Sequence, residues 1–245
     1  MSTESHACWL AKRGNSPEEY EDAFAANDAA GRYAVADGAS ESSFAGLWAR
    51  LLVDQFAEDL DHDPIDWSER LPALQSQWHT QVGQRPLPWY AEAQFQRGSF
   101  AAFLGVALST SSDGLCAWQA VGVGDSCLFQ TRGADLIVAF PLDRSDRFDN
   151  MPHLVGSRTR PEVVRQKRAL HEEGYADPGD RLWLMTDALA HWCLREHEMN
   201  RNPWEQMERL LTRPSTRETF SHWIGDLRDT KDLRNDDVTL LAIRV

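Results

Sequence analysis

Gly31 to Ser40 reads GRYAVADGAS. Tyr33, Ala34, Val35 and Ala36 make a short apolar run that stops at Asp37-Gly38. A run of this length bounded by turn residues predicts a buried strand with a carboxylate at its mouth. Gly38 lets the backbone bend away and leaves its carbonyl facing the same way as the Asp37 side chain. A carboxylate and a carbonyl on one edge suit a hard cation such as Mg²⁺ or Mn²⁺. Asp-Gly after a strand is also an ordinary turn. What decides between the two is whether acids sit at the ends of other strands.

They do. The apolar run Arg181 to Thr186 (RLWLMT) ends in Asp187, and Asn235-Asp236-Asp237 opens the last run, Val238 to Val245 (VTLLAIRV). Glu21 and Asp22 lead into a short strand near Phe24. Asp125 lies in a glycine-rich kink, Gly122-Val123-Gly124-Asp125-Ser126. Carboxylates gathered in one place repel one another unless cations lie between them. No histidine shares this placement, so the donor set is oxygen alone, which points to Mg²⁺ or Mn²⁺ rather than zinc. Two such ions roughly 4 Å apart can activate a shared water and clamp a phosphoryl group.

Around these acids the periodicity predicts further elements. His6 to Lys12 reads as a first strand, followed by a turn at Gly14-Asn15-Ser16-Pro17. Glu41 to Leu60 is an amphipathic helix with Phe44, Leu47, Trp48, Leu51, Leu52 and Phe56 on one face and Ser40 as its N-cap. Trp67 to Val82 and Trp89 to Arg97 read as further helices. Ser99–Thr110, Leu115–Gly122, Cys127–Thr131 and Ala134–Phe140 form a four-stranded meander, its first turn at Ser112-Asp113-Gly114. Pro141 to Arg160 is long, polar and aperiodic, as expected of a functional flap or excursion. Arg158, Arg160, Arg165, Lys167 and Arg168 form a locally basic stretch, read as a solvated strand face. Helices follow at Ala188–His197, Pro203–Arg213 and Thr216–Leu227.

Composition narrows the class. The chain has 245 residues, 25 basic against 38 acidic, for a net charge of −13. That argues against nucleic acid or an anionic membrane as partner, since both need a basic face. Cys8, Cys116, Cys127 and Cys193 are widely spaced, which suits buried small hydrophobes better than a zinc site or disulfide framework. Neither a secretory signal pattern nor an apolar run of spanning length is visible, so a cytoplasmic location is expected. With no internal repeat or linker, a single domain over residues 1–245 is expected. No GxxxxGK[ST] or GxGxxG occurs, so nucleotide binding has no support.

The ordered set YEDAF, YAVADGAS, AVGVGDSCLF, LWLMTDALAHW and NDDVTLLAI, from about residue 10 to the C-terminus, resembles the successive motifs of the metal-dependent protein serine/threonine phosphatases, the PPM or type 2C family. The resemblance implies an α+β fold, a four-layer αββα sandwich of two antiparallel sheets flanked by helices. It implies hydrolysis of phosphoserine or phosphothreonine in proteins by a water bridging two metal ions. Asp37 would bridge both ions, the Gly38 carbonyl would bind one, and Asp187 and Asp236 would complete the shell of the other. Glu21 and Asp22 match the acidic pair that holds metal-bound waters. Asp125 matches a residue that some members use for a third, weaker metal. A phosphoprotein substrate opposed by a serine/threonine kinase follows.

Four positions depart from the family pattern. Pro17 stands where members often carry a phosphate-binding arginine, so Arg13, or else Lys12, is expected to take that role. Ala39 stands where some members have a histidine acid. Cys127 follows GDS where arginine is usual, and Ala188 follows TD where glycine is usual. They suggest a divergent, bacterial-type branch. They also leave a second reading open, a catalytically silent module that binds phosphoprotein on the same fold.

Overall fold

The strand that opened the reading is Arg32–Gly38 (β3), and in a computed structural model it lies in one of two antiparallel sheets. The structure describes residues 3–42, 44–60, 63–84, 95–110, 115–148, 151–212 and 216–245. One sheet runs Glu4–Leu10 (β1), Val238–Arg244 (β11), Arg181–Met185 (β10), Cys127–Arg132 (β6), Asp135–Phe140 (β7). The other runs Ala23–Asn27 (β2), β3, Phe100–Thr110 (β4), Cys116–Val123 (β5), Leu170–Ala176 (β9), with the short Val155–Gly156 (β8) paired to β4.

The two-residue period of a strand explains the layers. Along β3, Tyr33 and Val35 face the other sheet, where they meet Leu182 and Leu184 of β10 and Leu241 and Ile243 of β11. Ala34 and Ala36 point the opposite way, under Ala45–Glu58 (α1) and Leu71–Gly83 (α2). On the far side, Trp183, Met185, Leu240 and Ala242 pack against Asp187–Glu198 (α4), Pro203–Leu211 (α5) and Thr216–Asp229 (α6). Strands buried on both faces read as continuous apolar runs, and the product is the expected αββα sandwich.

Several expectations need correction. The four-stranded meander is divided between the sheets: β4 and β5 belong to one, β6 and β7 to the other. The crossing is at Gly124, whose φ is +102°, and a Cβ there would come within 2.6 Å of Ala102 Cβ. Helix α1 begins at Ala45 rather than Glu41. Phe44 precedes it with φ 64°, while the Ser40 hydroxyl donates to Glu21 Oε2 at 2.5 Å instead of capping. Trp67 to Arg70 is the end of a 3₁₀ segment, Pro64–Arg70, that leads into α2. The basic stretch is no strand face. Pro161–Lys167 is a short helix (α3) with Val164 buried, and it precedes β9, an exposed edge strand that carries His171, Glu172 and Glu173. Charged side chains on an edge discourage pairing with other chains, and they hide the strand from a hydrophobic-pattern reading.

The Ser112–Gly114 turn and residues 89–94 of the Trp89–Arg97 helix lie outside the described residues, and 95–97 are helical. Among the described residues no helix is long and apolar enough to cross a membrane. All four cysteines are buried free thiols.

Candidate metal centre

At one end of the sandwich the sheets part over a cleft of about 660 Å³. Asp37, Gly38, Asp125, Asp187 and Asp236 all line it. They come from four places in the chain: Asp37 and Gly38 from the end of β3, Asp125 from the β5–β6 crossing, Asp187 from the first turn of α4, and Asp236 from the loop before β11. Strand alternation aims Asp37, two residues after Val35, into the space between the sheets. Met151, Pro152 and Leu154 of the 141–160 excursion form part of the opposite wall.

Gly38 is where the packing is tightest. A Cβ there would lie 2.5 Å from the Glu21 carbonyl oxygen and 2.9 Å from the Ala45 carbonyl carbon. Only a glycine lets the end of β3 lie against both the Glu21 segment and the start of α1. Glu21 and Asp22 sit behind this contact. Asp22 is buried, its Oδ2 accepting from Thr239 Oγ1 at 2.7 Å. Thr239 also bonds the Tyr20 hydroxyl, and its amide donates to Thr186 Oγ1 at 2.9 Å.

The electrostatics are those of carboxylates crowded together. Burial raises the Asp37 carboxyl well above its ordinary range, and the charges of Asp22, Asp187, Asp125 and Asp236 push it the same way. Asp22 is raised by burial and by Asp237 and Asp187, against the bonds from Thr239 and Thr186. Asp187 is raised by burial and Asp236, although the Arg234 guanidinium opposes them. Its Oδ1 is buried without a hydrogen-bond partner. A buried orphan acceptor among like charges is costly unless a cation meets it.

Arg13 is not brought to this cleft. Its guanidinium pairs with Asp229 Oδ1 at 2.7 Å and reaches the Gly225 carbonyl on α6. Lys12 stands nearer, donating from Nζ to Ser40 Oγ at 2.8 Å with Glu21 Oε2 at 3.5 Å. Among the described residues lining the cleft the basic one is Arg234, which the sequence reading did not single out. Its Nη2 bonds Asp187 Oδ2 and lies 3.1 Å from Asp236 Oδ2. It is two residues from a candidate ligand in an exposed loop, a proximity that could have marked it. Asp237 was also missed: its carboxylate accepts the Lys12 and Glu21 amides, both at 2.7 Å. The pair Asp236-Asp237 thus divides its work, one side chain lining the cleft and the other tying down the acidic segment.

These residues suit Mg²⁺ or Mn²⁺. The candidate donors lining the cleft are carboxylates and the backbone at Gly38, and one carboxylate oxygen, Asp187 Oδ1, is orphaned. Among the described residues no three His, Cys, Asp or Glu side chains close into a ready-made cage. The acids ring a cleft instead, as suits a cation that keeps several waters and takes only one or two carboxylates directly.

A sandwich of this order with an acidic cleft between its sheets is the architecture of the metal-dependent protein serine/threonine phosphatases. The family model for protein phosphatase 2C matches residues 14–229, and the chain belongs to that family. No curated protein sequence matches the chain at a significant level. Among solved structures it is similar to the catalytic domain of the serine/threonine phosphatase PstP, in complex with two manganese ions, at 16% identity and a TM-score of 0.61, covering 99% of this chain and 97% of that one. PppA, described as a regulatory component of type VI secretion in Pseudomonas aeruginosa, matches at 16% identity and 0.60, covering 100% and 98%. The serine/threonine phosphatase Stp1 of Staphylococcus aureus matches at 12% and 0.64, covering 100% and 96%. At such identities the likenesses speak for the fold, and the family match carries the class.

Proposed function

We propose that the cleft hydrolyses phosphoserine and phosphothreonine in proteins, with Asp37, Gly38, Asp187 and Asp236 holding two Mg²⁺ or Mn²⁺ ions. The observation that carries this reading is the convergence of those residues, from three places in the chain, on one cleft. When bound, such ions lower the pKa of a shared water and screen the charge of a phosphoryl group. The chain's own residues supply the rest. Asp22 and Glu21, which stand behind the β3 end and are not among the described residues lining the cleft, would help hold water around such ions, with Thr239 orienting Asp22. Asp125 is the candidate for a third ion. Arg234 takes the role that the sequence reading gave to Arg13. A guanidinium fits a phosphate dianion with paired hydrogen bonds, and this one is half-exposed at the cleft wall, free of the core. Ala39 has no ionisable proton to give, so leaving-group protonation would come from water or from another group. The phosphoprotein substrate requires a kinase acting upstream.

The test is Mn²⁺-dependent hydrolysis of p-nitrophenyl phosphate and of a phosphothreonine peptide. Activity that a chelator abolishes and Asp37→Asn removes supports the reading. Full activity in Asp37→Asn would sink the assignment. Phosphopeptide binding without turnover would leave the silent module as the better account.

A further inference from the structure

A second groove of about 340 Å³ runs along β1 and the face of α6. Its walls include Trp9, Lys12, Arg13, Arg217, Ser221 and Arg228, and among the described residues none that lines it is acidic. The contrast with the rest of the molecule is large, because the chain carries a net charge of −13 and, among the described residues, its cleft is lined by four aspartates and a glutamate. Three features keep the groove basic. The exposed Arg217 guanidinium stands 4.6 Å over the Trp9 ring, a contact that leaves its charge uncancelled. Arg228 is buried and donates to the backbone carbonyls of Ala11 at 3.0 Å and Asp236 at 2.5 Å, so its hydrogen bonds go to neutral groups, although Asp236 and Asp237 lie near enough to act on its charge. Arg13 is shared with Asp229, but that pair is more than half-exposed on both sides and weak.

The groove also adjoins the cleft. Lys12 lines the groove, Ser40 lines the cleft, and the two side chains are hydrogen-bonded at 2.8 Å. A polypeptide whose phosphorylated residue enters the cleft can therefore lay its neighbouring residues across Lys12 toward Arg217.

We infer that this groove receives acidic residues flanking the phosphorylated residue of the substrate polypeptide. The inference rests on the phosphatase reading above and adds a substrate class to it: phosphosites in an Asp- or Glu-rich context. Phosphate capture stays in the cleft, while the groove reads the flanks by charge. Recognition by exposed ion pairs is modest in strength and falls with ionic strength.

The experiment measures KM for two phosphothreonine peptides of equal length, one with three Asp or Glu on each side and one with Ser and Gly there, alongside p-nitrophenyl phosphate. The wild-type KM for the acidic peptide is expected to be about fivefold lower, as two exposed ion pairs would give. Raising the salt to 0.5 M should remove most of that difference. Arg217→Glu should abolish it and leave p-nitrophenyl phosphate hydrolysis unchanged. Ser221→Glu, one helical turn along α6, should do the same and covers the case in which the first variant folds poorly. Equal KM values for the two peptides in the wild type, or a preference that survives both variants, overturns the inference while the small-substrate activity keeps the phosphatase reading. Loss of small-substrate activity in the wild type at every Mn²⁺ concentration overturns both.

Discussion

Gly38→Ala adds one methyl group at the tightest point of the site. The new Cβ would lie 2.5 Å from the Glu21 carbonyl oxygen, 2.9 Å from the Ala45 carbonyl carbon and 3.0 Å from Ala45 Cβ. Two of these are backbone atoms, so no rotamer change relieves them. Either β3 must withdraw from the Glu21 segment or α1 must shift. Inserting one methyl group into packing of this kind costs about 1–3 kcal/mol, and fixed backbone obstacles put this case at the upper end. For a chain of this size each kcal/mol lowers Tm by about 2–4 °C, so a fall of roughly 4–12 °C is expected. Thermal and urea unfolding by circular dichroism measure it. Gly225→Ala is the matched control: the site lies within α6, a Cβ there meets nothing within 4 Å, and helix propensity predicts a gain of up to ~1 kcal/mol. The shift of β3 would also displace Asp37 and Gly38 where they line the cleft. Mn²⁺-dependent activity should therefore fall by more than the folded fraction accounts for. Wild-type stability within ~0.5 kcal/mol, together with full activity, would refute the reasoning.

Two further expectations concern charge. Asp180 is buried and accepts from Gln130 Nε2 at 2.8 Å, Arg132 Nε at 2.8 Å and the Asp177 amide at 3.0 Å. Burial pushes its carboxyl up, but the Arg132, Asp177 and Gln130 contacts outweigh it and leave the pKa below the ordinary value. A depressed carboxyl stabilises the fold above its unfolded pKa of about 3.9, and that contribution disappears as pH falls through the folded value. Asp180→Asn should thus cost about 2 kcal/mol at pH 7, and the gap to wild type should narrow in urea titrations at falling acidic pH. Arg234→Ala should raise KM for p-nitrophenyl phosphate and weaken binding of inorganic phosphate by about tenfold, the loss expected for one charge-assisted contact. Calorimetry on the Mn²⁺-loaded protein reads the phosphate term directly. A kcat loss with unchanged phosphate affinity would count against a phosphate-holding role.

Much of this fold was legible because both sheets are covered on both faces. Runs such as RLWLM and VTLLAI have no polar side, so their apolar continuity marks them as interior strands. β9 was not legible, since LHEEGYA is an exposed edge whose side chains answer to solvent. The passage from one sheet to the other at Gly124 was hidden for a different reason: a strand's own sequence does not say which sheet it joins. In the site, Asp37, Asp187 and Asp236 stood out as single carboxylates closing or opening apolar runs. Asp237 did not, because its work is to hold two backbone amides that only the tertiary structure brings near. Arg13 and Arg234 exchanged prominence for a similar reason: proximity in sequence to the acidic pair did not decide which arginine faces the cleft. Asp229 on α6 holds Arg13 elsewhere.

The central claim is that Asp37 and its neighbours are the ligands of two divalent ions. Mn²⁺ binding, followed by the electron paramagnetic resonance signal of the free ion, tests it without reference to turnover. The account predicts two equivalents bound per wild-type chain, with Asp37→Asn losing at least one and weakening the other, and Asp187→Asn losing one. Unchanged stoichiometry and affinity in Asp37→Asn would contradict it.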